Sequence, residues 1–239
     1  MQLFYSTDVS SDIVQLSRDE SAHAVRSLRM RPGETIMLTD GKGTLAEGII
    51  LTAESTACTV QVIVRTFRER RAGYGLHLAV APTKNADRIE WLVEKAVEIG
   101  IDEITPLITR RTERTRLNRD RIDKIAVSAM KQSLHTHLPI IHHETRFEDF
   151  IGMCPDSENS VRMICHAHYS HPLSIVQAYQ PGRDAVLVIG PEGDFAEDEI
   201  ALADCCGFLP VTLGTYRLRT ETAAMMAVCA INLINNPPH

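Results

Sequence analysis

The 239-residue sequence lacks a GxxxxGK[ST] phosphate loop, a CxxC pair, any internal repeat and any low-complexity tract. The first absence removes the nucleotide-phosphate enzymes built on that loop. Six cysteines (58, 154, 165, 205, 206, 229) stand without a zinc-finger spacing, and adjacent Cys205 and Cys206 could not bridge each other without strain, so reduced and mostly buried thiols are expected. No long hydrophobic run exists either. The most apolar uncharged stretch, Thr222 to Pro238, carries three Asn and two Pro, is too short and polar to span a bilayer, and reads as a buried helix. Met1–Asp8 has neither the basic start nor the apolar run of a signal peptide, so the expectation is a cytoplasmic protein with no membrane partner. Hydrophobic residues at 44% and charged residues at 23% exclude disordered and collagenous chains.

The net charge of −6 is unevenly spread. Residues 148–239 hold 4 Lys+Arg against 12 Asp+Glu, whereas 1–73 are balanced and 74–147 are slightly basic. Arg110, Arg111, Arg114, Arg116, Arg119, Arg121 and Lys124 are interrupted only by Glu113, Asp120 and Asp123. That is a basic run inside an acidic protein. It reads either as a solvated face or as a set of phosphate contacts whose binding would be strongly salt-dependent.

The first third is β-rich, with short apolar or alternating runs at Leu3–Tyr5, Ile13–Leu16, Thr35–Thr39, Leu45–Leu51 and Cys58–Val64 and one helix over about Asp19–Leu28. Tight turns between short strands suggest a small barrel over 1–72. The boundary falls in the charged, Gly-containing stretch Arg65–Gly75. From 73 to 239 strands and helices alternate as in an α/β domain. Strands are expected at Leu76–Val80, Glu103–Ile108, Val161–Cys165, Ala185–Ile189 and Pro210–Leu213, and helices at Asp87–Ile99, Asn118–His135, Ala196–Cys205 and Thr220–Leu233.

Chemistry concentrates where two of those strands end. Ala185–Ile189 runs into Gly190-Pro191-Glu192-Gly193, and Pro210–Leu213 runs into Gly214 and then Arg217, Arg219 and Glu221. Ligands in open α/β sheets bind outside the carboxyl ends of strands. Glu192, Asp194, Glu197, Asp198 and Glu199 argue against a phosphate and for a neutral or cationic ligand, and Asp194 with Glu197 has the spacing of a capping box. The plain readings are a tight turn at Gly190–Gly193, and Thr220 as helix N-cap with Glu221 in the first turn.

Gly190-Pro191-Glu192-Gly193, Leu213-Gly214 and Leu218-Arg219-Thr220-Glu221-Thr222-Ala223 closely resemble the signature of the RsmE family, the ribosomal RNA small subunit methyltransferases E. Lys84 with Asp87–Gly100, Ile104-Thr105-Pro106 with the Arg-rich run, Gln132, Leu138-Pro139, and in the first third His23, Leu28-Arg29 and Pro32-Gly33 extend the resemblance over nearly the whole chain. The sequence departs from the family at Asp194, Tyr216 and Leu134-His135.

The resemblance implies an N-terminal PUA-like β-barrel (1–72) that binds RNA. It implies a C-terminal SPOUT α/β domain (73–239) with a trefoil knot, S-adenosylmethionine as cofactor, a homodimer, and methylation of N3 of a uridine in small-subunit (16S) ribosomal RNA, free or within the assembled small subunit. Carried onto this chain, the cofactor residues are Ile189, Gly190, Pro191, Glu192, Gly193, Leu213, Gly214, Leu218 and Thr220. The catalytic candidates are Arg219 first, Arg217 as its substitute, and Glu221. RNA contacts are assigned to Arg29, Arg110, Arg111, Arg114 and Arg116. The Thr220–Leu233 helix, apolar nearly all round, is expected to need covering by a second subunit. Alternatives are a non-catalytic RNA-binding or regulatory protein of the same fold, or a methyltransferase with another RNA target. No metal is expected. Cys165, His166, His168 and His171 sit too close together on one short loop to make a closed tetrahedral set, and the loop reads instead as part of the cofactor's surroundings.

Overall fold

The computed structural model describes residues 2–70, 73–154, 159–167 and 172–236. Its chain divides into two compact units, one of residues 1–72 with 127–138 and one of 73–126 with 139–239. The sequence boundary at 72/73 therefore needs one addition, a segment of twelve residues returned to the first unit.

The first unit is a five-stranded sheet. Strands β1 (Leu3–Tyr5), β2 (Ile13–Gln15), β3 (Thr35–Thr39), β4 (Thr44–Thr52) and β5 (Thr59–Phe67) are ordered β1-β3-β4-β5-β2, with β1 parallel to β3 and the other pairs antiparallel. Phe4, Leu16, Ile36, Leu38, Ile50 and Val60 form its core. Between Glu47 and Gly48 the β4–β5 register shifts, and a Cβ at Gly48 would sit 2.5 Å from Val60 Cγ1 and 2.6 Å from the Gln61 carbonyl oxygen. Only glycine fits that bulge.

The helix expected over Asp19–Leu28 is split. Ser17 caps α1 (Arg18–Ala22), which passes into a π-helical turn at His23–Ser27, and Arg29 closes it in the left-handed region at φ 57. Residues 127–138 join this unit through Lys131, which pairs with the buried carboxylate of Glu20, and through backbone bonds Gly43 N–H to Thr136 O (2.9 Å) and Leu138 N–H to Gly41 O (2.8 Å).

The second unit is a parallel sheet covered by helices. Its elements are β6 (Leu76–Val80), α2 (Ala86–Ile99), β7 (Glu103–Ile108), α3 (Arg119–Gln132, whose second half belongs to the first unit), β8 (Ile140–Ile141), β9 (Thr145–Arg146) and α4 (Phe147–Met153), followed by β10 (Ser160–Cys165), β11 (Leu173–Ser174), α5 (Ile175–Ala178), β12 (Asp184–Ile189), α6 (Glu197–Cys205), β13 (Leu209–Thr212) and α7 (Thr220–Asn235). The strand order is β11-β13-β10-β12-β6-β7-β8, with β9 pairing β7, and every pair is parallel.

The central strands are apolar on both faces because both faces are packed. Helix α7 lies against α2, α5, β6 and β12, while α4 and α6 pack together and contribute to a cluster of Phe147, Phe150, Phe195, Phe208, Leu107 and Val188. Asn85 caps α2, whose Ile89, Leu92, Val93, Ala96 and Val97 are buried as their spacing predicts, and Gly100 ends it at φ 99.

Register decides what the sheet presents at its carboxyl edge. Ile189 of β12 is level with Cys165 of β10, and Cys165 is level with Val211 of β13. Three strands therefore end side by side, and the loops that follow them are delivered to one place.

Candidate functional site

Those loops surround a cavity of about 660 Å³. Ile189, Gly190, Pro191, Glu192 and Gly193 line it from the turn after β12, and Leu213, Gly214 and Leu218 from the turn after β13, with Thr220 and Ala223 from the start of α7. All nine residues assigned to the cofactor by sequence thus face one volume. Arg217 lines it as well, whereas Arg219 and Glu221 do not.

The glycines act differently from one another. A Cβ on Gly190 would lie 2.9 Å from the ring of fully buried Phe195, so the turn can form only without a side chain there. Gly214 holds φ 131 and a Cβ there would meet nothing within 4 Å, leaving open space beside a backbone that L-residues rarely adopt. Gly193 is less demanding, since a Cβ would touch only the Arg111 stem at 3.4 Å. The left-handed residue of this turn is Asp194, at φ 62.

Side chains then tie the turns together. Thr220, 4% exposed, donates its hydroxyl to the Gly190 carbonyl at 3.0 Å instead of capping α7, whose N-cap position is Arg219. Arg217 Nη2 donates to the Glu192 carbonyl (3.2 Å) and Arg111 Nη1 to the Gly193 carbonyl (2.7 Å). Asp194 accepts from the N–H of Phe195 (2.9 Å) and of Ala167 (3.0 Å), which joins the β12 turn to the residue following His166 after β10. The capping box expected of Asp194 and Glu197 is replaced by Glu199. Only 2% exposed, it accepts from the N–H groups of Ala196 (2.8 Å) and Arg110 (2.9 Å).

The electrostatics follow from these contacts. Glu192 and Asp194 give the cavity two carboxylates, but Arg111 and Arg217 stand beside them, so the wall is mixed rather than acidic. Burial pushes the Cys165 thiol, on the same wall, up to about 12 and keeps it neutral. Glu221 faces helix α2. Its Oε1 lies 3.6 Å from Arg88 Nε, and its buried Oε2 has no hydrogen-bond partner among the described residues. The sequence candidate for proton transfer is therefore turned away from the cavity.

The basic run is tied down for most of its length. Arg110 pairs with Asp198, Arg114 donates twice to the Lys84 carbonyl (2.9 and 3.2 Å), Arg119 pairs with Asp123 and bonds the His142 carbonyl, and Arg121 pairs with Glu90. Arg116 is exposed and makes no side-chain hydrogen bond or ion pair among the described residues, and Arg219 and Arg29 are alike in this. Arg111 belongs to the cavity wall. Sequence reasoning missed that because a cation three residues beyond a strand looks the same whether it meets solvent or a carbonyl. Of the loop after β10, Cys165, His166 and Ala167 line the cavity, while His168–His171 lie outside the described residues.

Volume and lining suit a small organic ligand. Apolar walls from Ile189, Val211, Leu213, Leu218 and Ala223 alternate with exposed turn backbone, two carboxylates lie to one side, and space is open beside Gly214. S-adenosylmethionine, which carries an adenine, a sulfonium and a zwitterionic tail, fits such a donor set.

Comparison with known proteins agrees with this geometry. Residues 71–232 match a family model described as an RNA methyltransferase domain, and residues 16–63 match an RNA methyltransferase PUA domain. A probable rRNA-methyltransferase from Porphyromonas gingivalis is similar over 98% of both chains, with 37% identity and a TM-score of 0.91. A ribosomal RNA small subunit methyltransferase E from Neisseria gonorrhoeae, solved bound to S-adenosyl methionine, is 27% identical over 98% of both chains with a TM-score of 0.86. The ribosomal RNA small subunit methyltransferase E of Rickettsia conorii is 27% identical over 230 residues, 93% of this chain and 91% of its own. Among the described residues, no helix is long and apolar enough to cross a membrane.

Proposed function

The chain belongs to the RNA methyltransferase family, in its ribosomal RNA small subunit methyltransferase E branch, and from that membership we propose that it methylates N3 of a uridine in small-subunit ribosomal RNA. S-adenosylmethionine is its cofactor. The observation that carries the reading is the delivery of two glycine turns, by strand register, to one cavity.

When bound, the cofactor supplies an electrophilic methyl group on a positively charged sulfur. The chain's own task is positioning and charge. The Gly190–Gly193 and Leu213–Leu218 turns hold the ligand, and Glu192 and Asp194 oppose its positive charge. Arg111, Arg217 and Thr220 keep the β12 turn in place by bonding its carbonyl groups. Uridine N3 carries a proton at neutral pH, and its loss leaves negative charge on the base oxygens. Arg219 is the cation for that charge, being exposed and flanked by the lining residues Leu218 and Thr220. Glu221, paired with Arg88, is a positioning residue for the start of α7.

Arg116 and Arg29, exposed and unengaged among the described residues, are the phosphate contacts, while Arg110 and Arg114 are held by the protein itself. A homodimer, a trefoil knot in the second unit and a cytoplasmic location belong to the same proposal. Met226 and Leu233, the exposed apolar side chains of α7 at 46% and 64%, support the dimer.

The test is transfer of labelled methyl groups from the cofactor to small subunits and to free ribosomal RNA prepared from a strain deleted for this gene. The modified base is then located by arrest of reverse transcription, since N3-methylation blocks the pairing edge. Label in a single uridine is the expected result. Label elsewhere would move the target, and no transfer with intact cofactor binding would favour a binding protein of the same fold.

A further inference from the structure

A second cavity, of about 540 Å³, opens at the amino-terminal edge of the parallel sheet, among the first residues of β6, β7, β10 and β12. The topology brings two imidazoles and a carboxylate to its wall. His77 of β6 lies directly opposite Glu103 of β7 in register, so both side chains leave the same face of the sheet. Glu103 in turn faces Ile140 of β8, and the chain continues to His142, whose N–H donates to the Ile104 carbonyl at 2.8 Å.

The three side chains converge on one point. Glu103 Oε2 is 2.7 Å from His142 Nε2 and 3.9 Å from His77 Nδ1. One ligand atom from each of the three can be chosen so that all lie within 4.8 Å of one another. The orientation of His77 is fixed from behind, where its Nε2 lies 2.8 Å from the hydroxyl of Thr105, a residue only 2% exposed. Its ring meets Phe150 in a T-shaped pair and stacks on His142, with centroids 5.3 Å apart in both.

We propose that His77, Glu103 and His142 bind one divalent transition-metal cation of the zinc type, through His77 Nδ1, a Glu103 carboxylate oxygen and His142 Nε2. An ion pair between Glu103 and His142 would need no second imidazole, and no bond to Thr105 to hold that imidazole still. Bonds of about 2.1 Å set neighbouring ligand atoms roughly 3.0–3.4 Å apart, so the present 2.7 and 3.9 Å close to that spacing with sub-ångström shifts. Two nitrogens and one oxygen favour zinc, cobalt or nickel over the all-oxygen preference of calcium and magnesium. Thr105 is the outer partner that sets the His77 tautomer, as metal-bound histidines require. The remaining coordination positions open onto the cavity, where water or a small anion would complete the shell. Such a cation clasps β6, β7 and the segment after β8 at the sheet edge opposite the cofactor turns, and so has a stabilising role.

The test uses the full chain, stripped with a chelator and titrated with zinc and with cobalt. One equivalent should bind, cobalt should give visible d–d bands that zinc abolishes, and the melting temperature should rise with zinc concentration. Thr105→Val keeps all three ligands and should weaken binding by about 10–100-fold. His142→Gln and Glu103→Gln should each abolish the cobalt bands while the stripped proteins keep the wild-type circular dichroism. The assignment is overturned if wild type shows neither heat nor bands, a result that needs no variant. It is overturned equally if affinity and bands survive in both ligand variants, or if Thr105→Val binds as tightly as wild type.

Discussion

Single atoms decide several properties of the cofactor cavity. Because a Cβ on Gly190 would press into the Phe195 ring at 2.9 Å, Gly190→Ala should lower stability by about 1–3 kcal/mol and weaken cofactor binding, whereas Gly193→Ala, facing only the Arg111 stem, should bind nearly as wild type. Thermal melts and calorimetric titration of both variants check this ranking. On the role proposed for its charge at the reacting base, Arg219→Ala should slow transfer at saturating RNA by roughly a hundredfold and leave RNA affinity nearly intact; single-turnover kinetics separate the two. The Cys165 thiol, held neutral by burial, should react with iodoacetamide near pH 8 well after exposed Cys205, as followed by peptide mass spectrometry. At this scale the sequence is legible where glycines follow apolar strands, which places the two turns, while the nine individual lining residues are named through the family resemblance. It is silent where a role depends on a distant partner. Arg111 meeting Gly193 and Glu199 meeting Arg110 are set by the fold and leave no local pattern.

Elements were readable in proportion to their length. Strands of four to six apolar residues and helices of nine to sixteen carry enough periodicity to be recognised, and the observed bounds of β6, β7 and α2 fall within one residue of those expected. The two-residue strands β8, β9 and β11 and the short helices α4 and α5 carry none, and the π-helical turn at His23–Ser27 gives no warning in its composition. Helix α7 shows how an element can be placed correctly and its first turn misassigned. Thr220 has the chemistry of an N-cap, yet its hydroxyl is drawn to Gly190. Thr220→Val should therefore cost about 1–2 kcal/mol and loosen the β12 turn, with cofactor affinity falling more than the helix content seen by circular dichroism.

For the whole molecule, the boundary after residue 72 was legible as a charged, glycine-containing stretch, but the return of residues 127–138 was not, because a helical pattern runs unbroken across it. Two measurements belong to this scale. Light scattering at micromolar concentration should give twice the monomer mass of 26.6 kDa. Arg116→Gln should flatten the slope of log affinity against log salt by about one phosphate contact, while Arg114→Gln, whose guanidinium holds the Lys84 carbonyl, should act mainly on stability. The parallel order of the second sheet also has a consequence in time. The cavity wall is gathered from Arg111, the end of β10, the turn after β12 and the turn leading to Ala223, so contributions a hundred residues apart must all be present before any part of it holds a ligand. During translation the pocket has no early, partly competent form, because its last wall leaves the exit tunnel more than a hundred residues after its first. An RNA methyltransferase of this order thus gains its complete cavity only after the start of α7 has been synthesised.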